Sequence, residues 1–392
     1  MGIGISNIGE WIYLLSLNIT VLNMTDNKLA VSLLYIIVPL ATIATNFWGG
    51  SLIDRMNKRK LLISLDFIRA GLIVLLPFIP NLMYIYIIVF FINMASSIFS
   101  STSIVYMTKL IPQQDRKSFN TLHSLVTSGA FFTGPAIAGI LFIIWDSNTA
   151  IYFNAIALCI SGVIMLFMPD LEESLEVSPY DRMSLQLLRK DWSSVIQFSK
   201  RNRFIIIVYI LFQGVLLILA SAVDSLEVAF STEVLGLSES KYGFLVSISG
   251  VGIIVGSILN VLVFKRLCVG FLIGVSTIFV SAGYVVYGFS NDFVQAAIGF
   301  FILAFFTAPA NSGFLTFYQN SVSVDMMGRI SSIYQFVSSV YIVFLTVLLG
   351  IIAEVISIKI AVHIGTVLMF CVSLILCWTL HKKFDLNVNS GE

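Results

Sequence analysis

Residues 30–79 read AVSLLYIIVPLATIATNFWGGSLIDRMNKRKLLISLDFIRAGLIVLLPFI. Two apolar runs, 30–53 and 61–79, flank a short loop that carries Arg55, Lys58, Arg59 and Lys60. Each run has about the 20 residues a helix needs to cross the hydrocarbon core of a bilayer. The runs are continuous rather than alternating, which excludes the strands of a closed barrel. The stretch therefore reads as two membrane-spanning helices joined by a basic turn. The same pattern extends in both directions. Runs at 3–23, 82–107, 119–144 and 149–168 complete a first set of six, and runs at 204–229, 241–263, 267–289, 293–317, 329–353 and 358–380 form a second.

Composition agrees with this reading. Of 392 residues, 58% are hydrophobic and 11% charged, with a mean hydropathy of +0.97. A soluble domain carries about a quarter of its residues as charges, so the solvent here is largely lipid. The net charge of +1 points to no nucleic-acid partner. Cys159, Cys268, Cys371 and Cys377 all fall in apolar runs, form no CxxC pair and indicate neither a metal site nor a disulfide framework. They are expected to be small buried hydrophobes. No basic stretch followed by a small-residue cleavage site opens the chain, so the first run is expected to be a retained helix. No Gly-x-x-x-x-Gly-Lys-Ser/Thr loop is present, which removes ATP as an energy source. No constellation of catalytic groups sits on a soluble domain, so the chain does not read as an enzyme.

Lys and Arg counts in short loops set orientation. Eighteen of the 22 basic residues fall in loops on one side, in the central linker or in the C-terminal tail. Both termini are therefore expected in the cytoplasm, with an even number of spans. The linker opens acidic (Asp170, Glu172, Glu173, Glu176) and closes basic (Arg189, Lys190, Lys200, Arg201, Arg203). Between these ends Met183, Leu187, Trp192, Val195 and Phe198 outline a short amphipathic helix on the membrane surface; a solvated linker is the other reading. The expected organisation is an N-terminal half, 1–168, a cytoplasmic linker, 169–203, a C-terminal half, 204–383, and a tail, 384–392.

The halves repeat. Gly50-Ser-Leu-Ile-Asp54 recurs as Gly256-Ser-Ile-Leu-Asn260, Phe90-Phe-Ile-Asn93 as Phe300-Phe-Ile-Leu303, and Leu125-Val-Thr-Ser128 as Phe336-Val-Ser-Ser339. The offsets, 206, 210 and 211 residues, are nearly constant. Parallel six-helix halves are the architecture of one large class of secondary transporters.

Gly50-Ser-Leu-Ile-Asp54-Arg55-Met-Asn57-Lys58-Arg59 resembles the loop 2–3 signature of the major facilitator superfamily, Gly-x-x-x-Asp-Arg-x-Gly-Arg/Lys-Arg/Lys. Asn57 replaces the second glycine. Asn is the next most tolerant residue of a left-handed backbone, so the turn is expected to be kept. The resemblance implies an all-α bundle of twelve helices in two pseudo-symmetric halves. It also implies that Asp54 sits near Gly328-Arg329 at the start of span eleven, where a helix N-terminus and an arginine favour a carboxylate. Gly50, Asp54, Arg55, Lys58, Arg59, Arg69 and Arg329 form the expected gating set; Arg59 and Lys60 also fit a purely topological role.

Gly134-Pro135-Ala-Ile-Ala138-Gly139 in span five resembles the Gly-Pro-x-x-Gly-Gly element of antiporter members, although Gly-Pro also serves packing alone. Ile5-Ser6, Gly9-Glu10, Asp66-Phe-Ile-Arg69 and Met327-Gly328-Arg329 resemble the macrolide-efflux and siderophore-exporter branch of drug–proton antiporters. Where many such antiporters carry an arginine in span four, this chain has Asn93.

Ionisable groups at membrane depth are costly and are functional candidates by default. Asp66 and Arg69 lie three apart on one helix face, a structural pair or a gating one. Glu10 has no basic neighbour within a turn. Asp224 and Glu227 lie at the outer end of span seven. All four carboxylates are proton-coupling candidates. Asn93, Ser97, Gln213, Asn311 and Gln335 are cavity-lining expectations from polarity. The sequence thus reads as a monomeric secondary transporter of the cell membrane, moving a small amphipathic compound with the proton gradient and no cofactor. Export in exchange for protons is the expected direction; an importer, or a membrane sensor or assembly partner that binds ligand without moving it, is the alternative.

Overall fold

A computed structural model describes residues 2–25, 28–144, 147–172, 185–237 and 239–389. Every regular element in them is a helix. The first six are α1 (Gly2–Thr25), α2 (Lys28–Arg55), α3 (Lys58–Leu75), α4 (Leu82–Leu110), α5 (Arg116–Ile144) and α6 (Ser147–Leu166). In the linker lies α7 (Leu185–Arg201). Then come α8 (Arg203–Gln213), α9 (Ala220–Asp224), α10 (Glu227–Ala229), α11 (Glu239–Leu262), α12 (Val269–Gly288), α13 (Phe293–Ser321), α14 (Val324–Val355) and α15 (Ile358–Asn389). Among the described residues, eleven helical stretches are long and apolar enough to cross a membrane. α5 is a further helix of 29 residues, about 43 Å long at about 1.5 Å per residue. The all-α bundle expected from the sequence is what the chain forms.

Local chemistry explains two departures. Asn57 does not take a left-handed conformation. Its φ is −62° and ψ 114°, and its side chain accepts from the Lys60 N–H at 3.0 Å. It is the N-cap of α3, a place where Asn satisfies an orphan donor better than Gly does. The seventh apolar run, expected as one span over 204–229, is interrupted. A π-helical stretch at Gly214–Leu219 separates α8 from α9, a turn at 225–226 separates α9 from α10, and a second π-helical stretch, Phe230–Val234, follows α10. Gly236, with φ 62°, then turns the chain towards α11.

The chain forms two compact units. The first holds Met1–Gln113, Gly129–Phe198 and Val322–Ser339. The second holds Gln114–Ser128, Ser199–Ser321 and Val340–Glu392. Each unit thus takes a helix start from the opposite half: α14 begins in the first, α5 in the second. In the first, α1 and α3 pack on α6, and α2 and α3 on α4, around Leu17, Val21, Ile73, Val89 and Ile151. In the second, α12 and α11 pack on α13 and α15 on α12, around Val215, Phe230, Tyr287, Phe300 and Met369.

Lipid offers no hydrophobic drive between helices, so close approach over small residues supplies the packing. A Cβ on Gly283 of α12 would lie 2.5 Å from the Leu303 nitrogen, and one on Gly299 of α13 would lie 2.6 Å from the Tyr287 nitrogen. The cysteines are free, but Cys268 and Cys371 are exposed rather than buried. An apolar run predicts a span, not which of its residues face inward.

Candidate functional site

Charged clusters in both units collect most of the ionisable candidates. The deepest joins α1 and α3. The Arg69 guanidinium donates to Glu10 Oε1 at 3.1 Å, to Asp66 Oδ1 at 2.5 Å and to Ser96 Oγ at 3.3 Å. It also lies over the Phe99 ring, 4.3 Å from the centroid. The Arg69 and Asp66 side chains are 2% and 1% exposed, whereas that of Glu10 is 48% exposed. Glu10 opens onto a cavity of about 300 Å³, lined also by Trp11, Tyr13, Asn93, Ser96 and Asn154. Glu10 is therefore not the lone carboxylate that its sequence neighbours imply. Its cation comes from 59 residues away. Gly134 seats α5 on this wall, since a Cβ there would sit 2.5 Å from the Trp11 Cβ. Pro135 and Gly139 share that helix, and their side-chain surroundings lie outside the described part.

The second cluster gathers at the basic end of α2. Asp54 Oδ1 accepts from the Gly328 N–H at 3.0 Å, and Oδ2 from the Arg329 N–H at 3.2 Å and Nε at 2.6 Å. The early turns of α14 thus hold the carboxylate by backbone dipoles and a guanidinium together. Gly50 makes this possible: a Cβ there would lie 2.6 Å from the Arg329 Cα and 2.8 Å from the Gly328 carbonyl. α7 adds Asp191, whose side chain is 3% exposed. It accepts from Arg55 at 2.9 and 3.1 Å, from Arg329 at 3.2 Å and from the Ser51 hydroxyl. Burial raises the Asp191 pKa, but Arg55, Ser51 and Arg329 outweigh it and hold the carboxyl below the usual range.

Lys58 lies beside this cluster but pairs with Glu172 at 3.0 Å, which Lys109 also grips at 2.6 Å. Burial raises the Glu172 pKa, and the two lysines pull it below the usual range. Two gating candidates lie elsewhere. Arg59 donates to the Met165 and Leu166 carbonyls at the end of α6, and Arg69 belongs to the deeper cluster.

The cavity candidates separate as well. Asn93 lines the Glu10 cavity. Ser97 and Gln335 instead join a network on Asn46: Ser97 Oγ donates to Asn46 Oδ1 at 3.0 Å, and Asn46 Nδ2 to Gln335 Oε1 at 3.2 Å. Gln335 also donates to Ser101 and Ser331. In the second unit Gln213 donates to Tyr209 Oη at 3.4 Å, and Asn311 is exposed. Polarity marked these residues, but helix rotation decided what they face.

In the second unit, Asp224 accepts from Tyr284 Oη at 2.9 Å and Glu227 from Tyr242 Oη at 2.7 Å. The π-helical turns beside them break the regular face that a straight span would present.

Sequence reasoning missed Asp191, Ser51, Asn46 and the pairing role of Glu172. Asp191 had a signal. Leu187, Asp191, Val195 and Phe198 share one face of α7, and an acid on an apolar stripe needs a buried partner. That helix buries Asp191 and Val195 in protein.

The sequence model of the Major Facilitator Superfamily matches residues 1–346. YfiS of Bacillus subtilis (strain 168), described as an uncharacterized MFS-type transporter, is 23% identical over 385 residues, covering 95% of this chain and 89% of that protein. The putative bacilysin exporter BacE of the same organism is 28% identical over 135 residues, 32% of this chain and 34% of that protein. The crystal structure of the human organic anion transporter MFSD10 (TETRAN) shares the fold with a TM-score of 0.76 at 11% identity, covering 96% of this chain and 97% of that one. Repeated six-helix halves, a charged loop after span two and a match over most of its length make this chain a member of the Major Facilitator Superfamily, a multi-pass membrane transport protein and not an enzyme.

Proposed function

We propose that this transporter exports a small amphipathic compound in exchange for protons by alternating access, with Glu10 as the coupling group. One observation carries the reading: two carboxylates share one guanidinium at membrane depth, and one of them, Glu10, opens onto a cavity of about 300 Å³. With both acids ionised the set is one negative charge in excess. A carboxylate crosses a closed, low-dielectric state far more cheaply when neutral. A proton on Glu10 supplies that neutrality, and its release resets the site. Asp66 is tied to Arg69 on its own helix and serves to hold it. Asp224 and Glu227 are the alternative proton sites. Asp54 with Arg329 is the contact that breaks when the cavity opens towards the cytoplasm. The distribution of basic loops supports cytoplasmic termini in the cell membrane, a monomer suffices, and no cofactor enters the cycle. The partial likeness to a putative bacilysin exporter favours the outward direction.

Purified protein in proteoliposomes with an imposed pH gradient tests the reading against a panel of amphipathic compounds. Movement of compound opposite to protons is expected, and movement with them would make the protein an importer. Glu10→Gln is expected to abolish uphill transport while downhill exchange survives. Uphill transport by that variant would make Glu10 a bystander and pass the role to Asp224 or Glu227.

A further inference from the structure

We infer that Asp191 of the linker helix is a positioning residue of the transport cycle: it completes a two-carboxylate grip on Arg329, and α7 stays with α2 when Arg329 leaves. Asp54 holds Arg329 through Nε at 2.6 Å, and Asp191 holds the same guanidinium through NH1 at 3.2 Å. The two acids come from different places in the chain, one at the end of a membrane span and one in the linker.

The grip is uneven, and the unevenness sets which contact breaks. Towards α2, Asp191 makes a two-pronged ion pair with Arg55 and takes the Ser51 hydroxyl. The next residue, Trp192, donates its indole N–H to the Phe47 carbonyl at 3.1 Å, with ring centroids 5.5 Å apart. Towards α14 the described contacts are the ion pair to Arg329 and an edge contact of Trp192 with Phe336 at 5.6 Å. A forked guanidinium–carboxylate pair is both stronger and more directional than a single bond. Of the described polar ties, four run to α2 and one to α14, which leaves α7 on α2.

Charge points the same way. When Arg329 departs, Asp191 keeps Arg55 and is not stranded as a buried unpaired anion, a strongly disfavoured state. The linker therefore acts as a fixed jaw on α2, and Arg329 is the part that moves in and out of it.

This inference rests on the reading that α2 and α14 separate during transport, and the test keeps the two apart. Ser332 of α14 is fully buried, and its Cβ would lie 3.0 Å from a Cβ placed on Gly50. In protein whose four native cysteines are replaced by alanine, Ser332→Cys is exposed to a charged maleimide in nanodiscs. Asp191→Asn is expected to raise the alkylation rate about fivefold or more, the lower end of a typical coupling between states. Asp191→Glu should restore slow labelling, and with Arg329→Gln already present Asp191→Asn should add less than about twofold, since the jaw has nothing left to hold. Should Asp191→Asn fail to accumulate, Arg55→Gln reads the same jaw from its other side. In a variant keeping Trp192 as the sole tryptophan, Arg55→Gln should shift its emission to the red and Arg329→Gln should not. Rapid labelling in Asp54→Asn with no change in Asp191→Asn would overturn the role of Asp191. A red shift from Arg329→Gln alone would overturn the assignment of α7 to α2. No labelling in any variant, Asp54→Asn included, would instead sink the separation of α2 and α14 on which the inference stands.

Discussion

Asp54 and Asn260 occupy matching places in the internal repeat, 206 residues apart, yet the two units use them differently. In the first unit Asp54 meets the early turns of α14 and binds a guanidinium and two backbone N–H groups. In the second, Asn260 donates to Ser312 Oγ at 2.9 Å and to the Ala308 carbonyl at 3.5 Å. Beside it the early part of α5 brings in Asn120, which donates to Thr316 at 3.0 Å and Gln319 at 2.8 Å. One framework thus carries ion pairs at Asp54 and neutral amide bonds at Asn260 and Asn120. Neutral hydrogen bonds contribute about 0.5–1.5 kcal/mol each and fail one at a time. A buried ion pair is different in kind: removing one partner strands the other and costs about 3–5 kcal/mol. Loss of one partner is therefore expected to cost more at Asp54 than at Asn260 or Asn120.

Asn260→Asp should break the comparison most. Asn260 is fully buried and its described partners include no cation, so the new charge is unpaired. A loss of about 3 kcal/mol or more is expected, read as a lowered unfolding midpoint in detergent; an unchanged midpoint would mean that water reaches the site. Asp54→Asn makes the opposite exchange, giving the first unit the residue of the second. Membrane abundance should hold while the balance between states shifts about 5- to 150-fold, for a coupling of about 1–3 kcal/mol. Unimpaired transport at equal expression would remove Asp54 from gating.

Asn120→Ala tests the neutral side and should cost only about 1 kcal/mol, with transport reduced severalfold at most. Larger losses would show that the amide network also acts as one piece. The smallest effect concerns acid. Asp191 has a folded pKa below its unfolded value, so its contribution is present above the unfolded pKa, about 3.9, and is lost as pH falls through the folded pKa. Emission of a lone Trp192 should therefore be flat from pH 8 to about pH 5 and change only below about pH 4. A midpoint near neutrality would contradict the paired state of Asp191.

Most of the spans and their repeat were legible from residue order. A continuous apolar run must satisfy its own backbone in lipid, and only a helix does so within one segment. The Asp66–Arg69 pair was legible for the same local reason, because three residues make less than one turn. Asp54 and Arg329, 275 residues apart, were paired only through the family resemblance of the loop. What spacing could not yield was the partner of Glu10 or the destination of Asp191, 59 and 136 residues from their arginines. Nor could it tell Asn93, which lines the cavity, from Ser97, one turn further along α4 and turned to Asn46. Those outcomes depend on how each helix is rotated about its axis. Lipid is indifferent to that rotation; close packing over residues such as Gly9, Gly50 and Gly134, together with buried charge that must find its counter-charge, decided it.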